Sequence, residues 1–207
     1  MRSIYTIGYS TFKIDDFIKI LQKYKITSLI DVRSNPNSKF HTDYNKNNLE
    51  NVLKHYGIIY RNYKEFGARQ NDLKFFNKSG YLDFNKYSQS KSFQNGVRKI
   101  QMGMSMNHVF VFMCAEKEPS SCHRNILVAR EFYKKGYQIK NLLDDGSYET
   151  QESIEKSLVE DYFPNRNQLD IFSNILSWEE MVERSYELRN RDIGYKINDV
   201  KITENIL

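Results

Sequence analysis

Three stretches of this chain place reactive or anion-binding side chains where an apolar run gives way to a helix pattern. The richest is Cys114 to Arg124, which contains Cys114, Glu116, Cys122, His123 and Arg124. A thiol at a strand end, facing a helix start with histidine and arginine close by, is in the electropositive setting that lowers a cysteine pKa. Either Cys114 or Cys122 is then a candidate nucleophile, with Glu116 and His123 as acid–base partners and Arg124 as an anion clamp. The bland reading stays open: Cys114 as a small buried hydrophobe, and the Cys-His-Arg run as a helix anchor. Two cysteines and one histidine also raise zinc. Their separation of eight positions is not a finger spacing and no fourth ligand is evident, so no metal and no cofactor is expected.

The second stretch is Asp31-Val32-Arg33, followed by a polar loop with Pro36, Ser38 and His41. A charge inside an otherwise apolar strand needs a partner. Arg33 carries the planar fork that suits carboxylate or phosphate. A structural Asp31–Arg33 pair competes evenly with a functional role. The third is Gly8-Tyr9-Ser10-Thr11, where a glycine permits close backbone approach and hydroxyls ahead of a helix could hold an anion. On spacing alone an ordinary turn with Ser or Thr capping is the favoured account.

These stretches need a frame to bring them together. Apolar, β-branched runs at 3–7, 27–32, 58–60, 108–113 and 137–143 read as strands. Helical spacing over 15–24, 47–56, 93–104, 121–135 and 147–163 places helices between and after them. Strand–helix–strand order favours parallel pairing with right-handed crossovers. The expected fold class is α/β: a mainly parallel sheet flanked by helices, with a C-terminal helical appendage. Residues 1–163 form the α/β domain and 164–207 a helical extension packed on it. From 63 to 90 no period persists, so loops with short helices, forming a mobile flap, are expected.

With 207 residues, 40% hydrophobic and 28% charged, the chain can build a normal core. No apolar run nears the roughly 20 residues a bilayer span needs, so no membrane partner is expected. The chain opens directly on a strand pattern, and two cysteines cannot form a disulfide framework, which favours a cytoplasmic setting. Net charge is +5. That permits an anionic small molecule or a nucleic acid as partner, and cations interleaved with aromatics from Lys39 to Lys91 are a pattern single-stranded nucleic acid could use. Oligomeric state is not legible.

Taken in order, Thr6-Ile7-Gly8-Tyr9-Ser10, Asp31-Val32-Arg33 with Pro36 and Ser38, Phe66-Gly67-Ala68-Arg69, and Cys114-Ala115-Glu116 through Cys122-His123-Arg124 resemble the prokaryotic family catalogued as domain of unknown function 488. The resemblance spans about residues 3–146. It departs from the family pattern at Phe66-Gly67-Ala68, where Leu-Gly-Gly is common, and near Asn141, where a histidine is often found. It implies a single α/β domain with shared polar residues, Arg69 among them, gathered at the strand ends, and no activity to transfer. The working expectation is an enzyme with an anion-binding pocket acting on a phosphate-bearing or nucleotide-like substrate; the alternative is a nucleic-acid-binding module without catalysis.

Overall fold

Short apolar strands alternate with amphipathic helices to build a six-stranded sheet, seen in a computed structural model that describes residues 2–165 and 176–197. In chain order the elements are β1 (Ser3–Gly8), α1 (Ile14–Lys23), β2 (Ser28–Asp31), α2 (Lys46–His55), β3 (Ile59–Asn62), α3 (Phe84–Ser88), α4 (Lys91–Ser105), β4 (Phe110–Cys114), α5 (Arg130–Lys134), β5 (Gln138–Leu142), β6 (Tyr148–Thr150), α6 (Gln151–Tyr162) and α7 (Trp178–Ile193). The strand order is β3-β2-β4-β1-β5-β6. Every neighbouring pair is parallel except β5–β6.

That order decides where the site forms. β2, β4 and β1 are neighbours, so the chain leaves Asp31, Cys114 and Gly8 side by side at one carboxyl edge. The register sets Gly8 beside Cys114 and Asp31 beside Met113. Helices cover both faces, so the central strands are buried on both sides. On β4, Phe110, Phe112 and Cys114 enter one core cluster while Val111 and Met113 enter the other, the period of two expected of a strand.

Two expectations need correction. The helix foreseen from Ser147 begins at Gln151: Tyr148–Thr150 instead form the antiparallel edge strand β6, pairing with Lys140–Leu142. Thr150 then caps α6, its hydroxyl accepting from Ser153 N at 3.3 Å. The stretch 63–90 is no loose flap. Phe66, Phe76, Leu82, Phe84 and Tyr87 are all buried, and the Tyr87 hydroxyl donates to Glu65 O at 2.8 Å. These side chains show no sustained period because they reach the core from short turns and the brief helix α3 rather than from one long element.

α7 begins with a reciprocal capping box between Ser177 and Glu180. It lies against α6, with Tyr186 buried and hydrogen-bonded to Gln151 at 2.7 Å, and Arg130 paired with Glu183 at 2.5 Å. The rest of the expected C-terminal extension, 166–175 and 198–207, lies outside the described residues.

Candidate functional site

The loop from Cys114 to Arg124 is shaped by two buried residues. Gly8 lies so close beneath it that a Cβ there would sit 1.9 Å from the Glu116 carbonyl oxygen. Arg124, fully buried, donates from its guanidinium to the carbonyls of Glu116 and Lys117, the latter at 2.8 Å. One residue allows the loop its path and the other ties it down. The helix entered at Arg124 starts with wide, π-type turns over Arg124–Ala129 before α5; such turns are frequent at functional sites.

This folding of the loop gathers Cys114, Glu116, Cys122 and His123. Their donor atoms all lie within 4.8 Å of one another. Both sulfurs approach the same carboxylate oxygen, Glu116 Oε2, at 2.7 Å for Cys114 and 3.0 Å for Cys122. His123 Nδ1 is 3.8 Å from Cys114 Sγ, while its Nε2 is 3.0 Å from the Val32 carbonyl oxygen. The Arg124 backbone N–H donates to Cys122 Sγ at 3.4 Å. Glu116 is thus the fourth donor that linear spacing did not reveal.

The electrostatics follow from this crowding. Burial raises both thiols, and Cys114, beside Cys122 and Glu116, stays well above its ordinary value. Cys122 also feels burial, but the Cys114 hydrogen bond and the Arg124 and His123 charges outweigh it and bring it to about 6. Burial would lower His123, yet Cys122 and Glu116 raise it to about 8. Glu116 is likewise raised by burial, and the His123 charge and two thiol hydrogen bonds overcome that to hold it at about 2.

Cys114, Glu116 and His123 form part of the wall of a cavity of about 530 Å³ at the carboxyl edge, whereas Cys122 is buried and outside that lining. Tyr9, Arg33, Ser34, Asn35 and Arg69 share that lining, as do Gly194 and Tyr195 from the end of α7. Arg69 is exposed, its backbone N–H donates to Ser34 Oγ at 2.9 Å, and among the described residues it has no carboxylate partner. Gly67 is required there, since a Cβ would meet Ser34 Oγ at 2.3 Å.

The remaining sequence candidates fall in two groups. Arg33 reaches the wall, but its guanidinium is committed: Nε and Nη2 donate to Asp31 at 2.9 and 2.6 Å, Nη1 to the Tyr9 hydroxyl at 2.8 Å, and Nη2 also to the carbonyls of Pro36 and Tyr44. Asp31, fully buried, also accepts from the Tyr60 hydroxyl at 2.7 Å. Arg124 holds backbone carbonyls. All three side chains are engaged by the protein itself, so their fork geometry serves the fold. Outside the cavity lining are Ser10, whose N–H donates to Ala115 O at 3.0 Å, and Ser38, whose hydroxyl accepts from Phe40 N and His41 N within its own turn. Asn141 accepts from Thr6 and Asn125 in a buried amide network, also outside the lining.

Sequence reasoning missed Ser34, Asn35 and the α7 terminus as lining. Ser34 and Asn35 follow Arg33 directly and could have been found by extending that motif; Tyr195, 162 positions further along the chain than Arg33, had no local signal. No curated protein and no solved structure matches the chain. A family model described as Domain of unknown function DUF488 matches residues 13–130, more than half of the chain and every part of the carboxyl-edge constellation except Gly8, Tyr9 and the α7 end. The chain therefore belongs to the DUF488 family.

Proposed function

We propose that this protein is an enzyme whose carboxyl-edge cavity takes an anionic, phosphate-bearing small molecule, a nucleotide-like one among the class. The observation that carries the reading is the meeting, in one 530 Å³ cavity, of an arginine with no carboxylate partner among the described residues and three members of the reactive cluster, Cys114, Glu116 and His123. A cavity of that size fits a small molecule, and ligands of open α/β sheets bind at the carboxyl ends of the strands. Arg69 supplies the cation that meets the anion, with Ser34 and Asn35 offering hydrogen bonds beside it. Arg33 and Arg124 act at one remove, by positioning Tyr9 and the Glu116 loop. Cys114, Glu116 and His123 provide the groups that act on the bound molecule, with Cys122 hydrogen-bonded to Glu116 beside them.

Nucleic-acid binding is less well supported, because the aromatics it would stack on are mostly core. Tyr44, Tyr60, Phe66, Phe76, Phe84 and Tyr87 are buried, and Lys74 and Lys86 pair with Asp72 and Asp83. The test is a turnover and calorimetric binding screen of phosphomonoesters, diphosphates and nucleotides against wild type, Arg69→Ala and Glu116→Gln. The expected result is binding that weakens at least tenfold in Arg69→Ala and turnover that disappears in Glu116→Gln. Absence of any hit, with salt-dependent binding of single-stranded DNA or RNA in its place, would overturn the proposal.

A further inference from the structure

We infer that Cys114, Glu116, Cys122 and His123 form a binding site for one divalent transition-metal ion of the zinc class. The claim stands on the convergence of their four donor atoms and does not depend on the anion-pocket reading.

Four features of the geometry point to a metal rather than to a chance cluster. The donor set is two sulfurs, one nitrogen and one oxygen, the composition that borderline-soft Zn²⁺ accepts in tetrahedral sites. The spacing is close to what such a site needs. With metal–ligand bonds of about 2.0–2.3 Å, tetrahedral donors stand about 3.3–3.8 Å apart. Cys114 Sγ and His123 Nδ1 already stand at 3.8 Å. Glu116 Oε2, at 2.7 and 3.0 Å from the sulfurs, needs to draw back by about 0.5–0.8 Å, and Glu116 is the most exposed of the four.

The surroundings match those of a ligating set. A metal-bound histidine normally donates its second ring N–H to a carbonyl or carboxylate, which fixes the tautomer and aims the free nitrogen at the ion. His123 has that arrangement, Nε2 on the Val32 carbonyl and Nδ1 toward the sulfurs. Cys122 receives the Arg124 backbone N–H and stands at the start of the helical segment, both of which favour a thiolate. Finally, two sulfurs and a carboxylate crowded around one point require protons or a cation between them. Metal binding replaces the thiol protons, which leave to solvent.

Three donors are held by elements of the fold: Cys114 ends β4, and Cys122 and His123 open the helix. Glu116 lies on the loop at the cavity wall and is the donor that can yield its position to an incoming oxygen ligand. A closed four-protein-ligand state and an open three-ligand state are therefore both within reach of the same residues.

The test uses the full-length reduced protein stripped of metal with a chelator and titrated with Co²⁺ alone. The expected result is a thiolate-to-cobalt charge-transfer band with strong visible bands of tetrahedral type, saturating at one ion per chain and abolished by one equivalent of Zn²⁺. Glu116→Ala, a change on the loop at the cavity wall, should fold and bind cobalt at least tenfold more weakly. Cys122→Ser should lose the charge-transfer intensity, and Arg69→Ala should keep the full spectrum. No thiolate–cobalt band in folded wild type would overturn the site. So would a band unchanged in Glu116→Ala and Cys122→Ser alike, or oxidation of the two thiols to a disulfide at an unaltered rate in saturating Zn²⁺.

Discussion

Replacing Gly8 with alanine tests how the site is built. The new Cβ would sit 1.9 Å from the Glu116 carbonyl oxygen and 2.7 Å from its carbon, both backbone atoms that no rotamer change can move. Real Cβ contacts essentially never fall below 3.0 Å, so the loop must retreat by more than 1 Å. It cannot do so freely, because Arg124 holds that same carbonyl and its neighbour from a fully buried position. Overpacking of this kind costs about 1–3 kcal/mol, and weakening a hydrogen bond from a charged donor adds about 1.5–3 kcal/mol. The two share one displacement and do not simply add, so about 3 kcal/mol in total is expected. For a chain of this size that lowers the melting temperature by about 6–12 °C. The assay is calorimetric or circular-dichroism melting, run beside thiol alkylation rates for Cys114 and Cys122. The alkylation rates should rise as Glu116 is carried off the sulfurs. Gly57→Ala is the control: its φ is +69° but nothing lies within 4 Å of the added Cβ. It should cost only about 1 kcal/mol of backbone strain and leave the thiols untouched. A Gly8→Ala protein melting within 2 °C of wild type, a shift worth no more than about 1 kcal/mol for a chain of this size, with unaltered thiol rates, would refute the reasoning.

Three further outcomes follow from buried or partly buried charges. Asp31→Ala leaves the Arg33 guanidinium buried without its carboxylate and should destabilise the fold by about 3–5 kcal/mol in denaturant unfolding. Arg124→Lys keeps the charge but gives up the fork that spans two carbonyls, so a loss of at least about 2 kcal/mol is expected in the same assay; a neutral result would show that the loop is held by other means. Glu155 has its carboxyl raised by burial, against the opposing pull of Arg130, to about 7. A carboxyl raised in the folded state contributes stability below its unfolded pKa near 4.5 and loses it as pH climbs through 7. Glu155→Gln should therefore stabilise the protein by about 1 kcal/mol at pH 8, after allowance for solvent screening, and scarcely at all at pH 4; melting curves at the two pH values check it.

Much of this architecture was legible because its signals are local. Runs such as Val109–Met113 and the helix of Phe17, Ile18 and Leu21 announce themselves by period, and Gly57 and Gly136 mark helix ends by their need for positive φ. Strand–helix alternation then brought the three polar strand ends to one edge. What stayed hidden depends on partners distant along the chain. Thr150 and Glu149 read as helix from their own neighbourhood, and only pairing with β5 makes them strand. Arg33 and Arg69 look alike as arginines in motifs. Only the fold shows that Asp31, Tyr9, Pro36 and Tyr44 absorb the first and that the second faces the cavity. Glu116 as a partner of both thiols needed the loop's path, which Gly8 and Arg124 set from either side.

The central claim, an anion pocket at the carboxyl edge with Arg69 as its cation, is tested most directly by a crystal structure of the protein soaked in tungstate, a heavy-atom surrogate for phosphate whose position anomalous scattering reports. The account predicts a tungstate inside the cavity, within hydrogen-bond distance of the Arg69 guanidinium and bordered by Asn35 and the Cys114–His123 cluster. It also predicts that the peak vanishes in Arg69→Ala. Tungstate found only on the lysine-bearing outer surface, or held in the cavity equally well without Arg69, would contradict it.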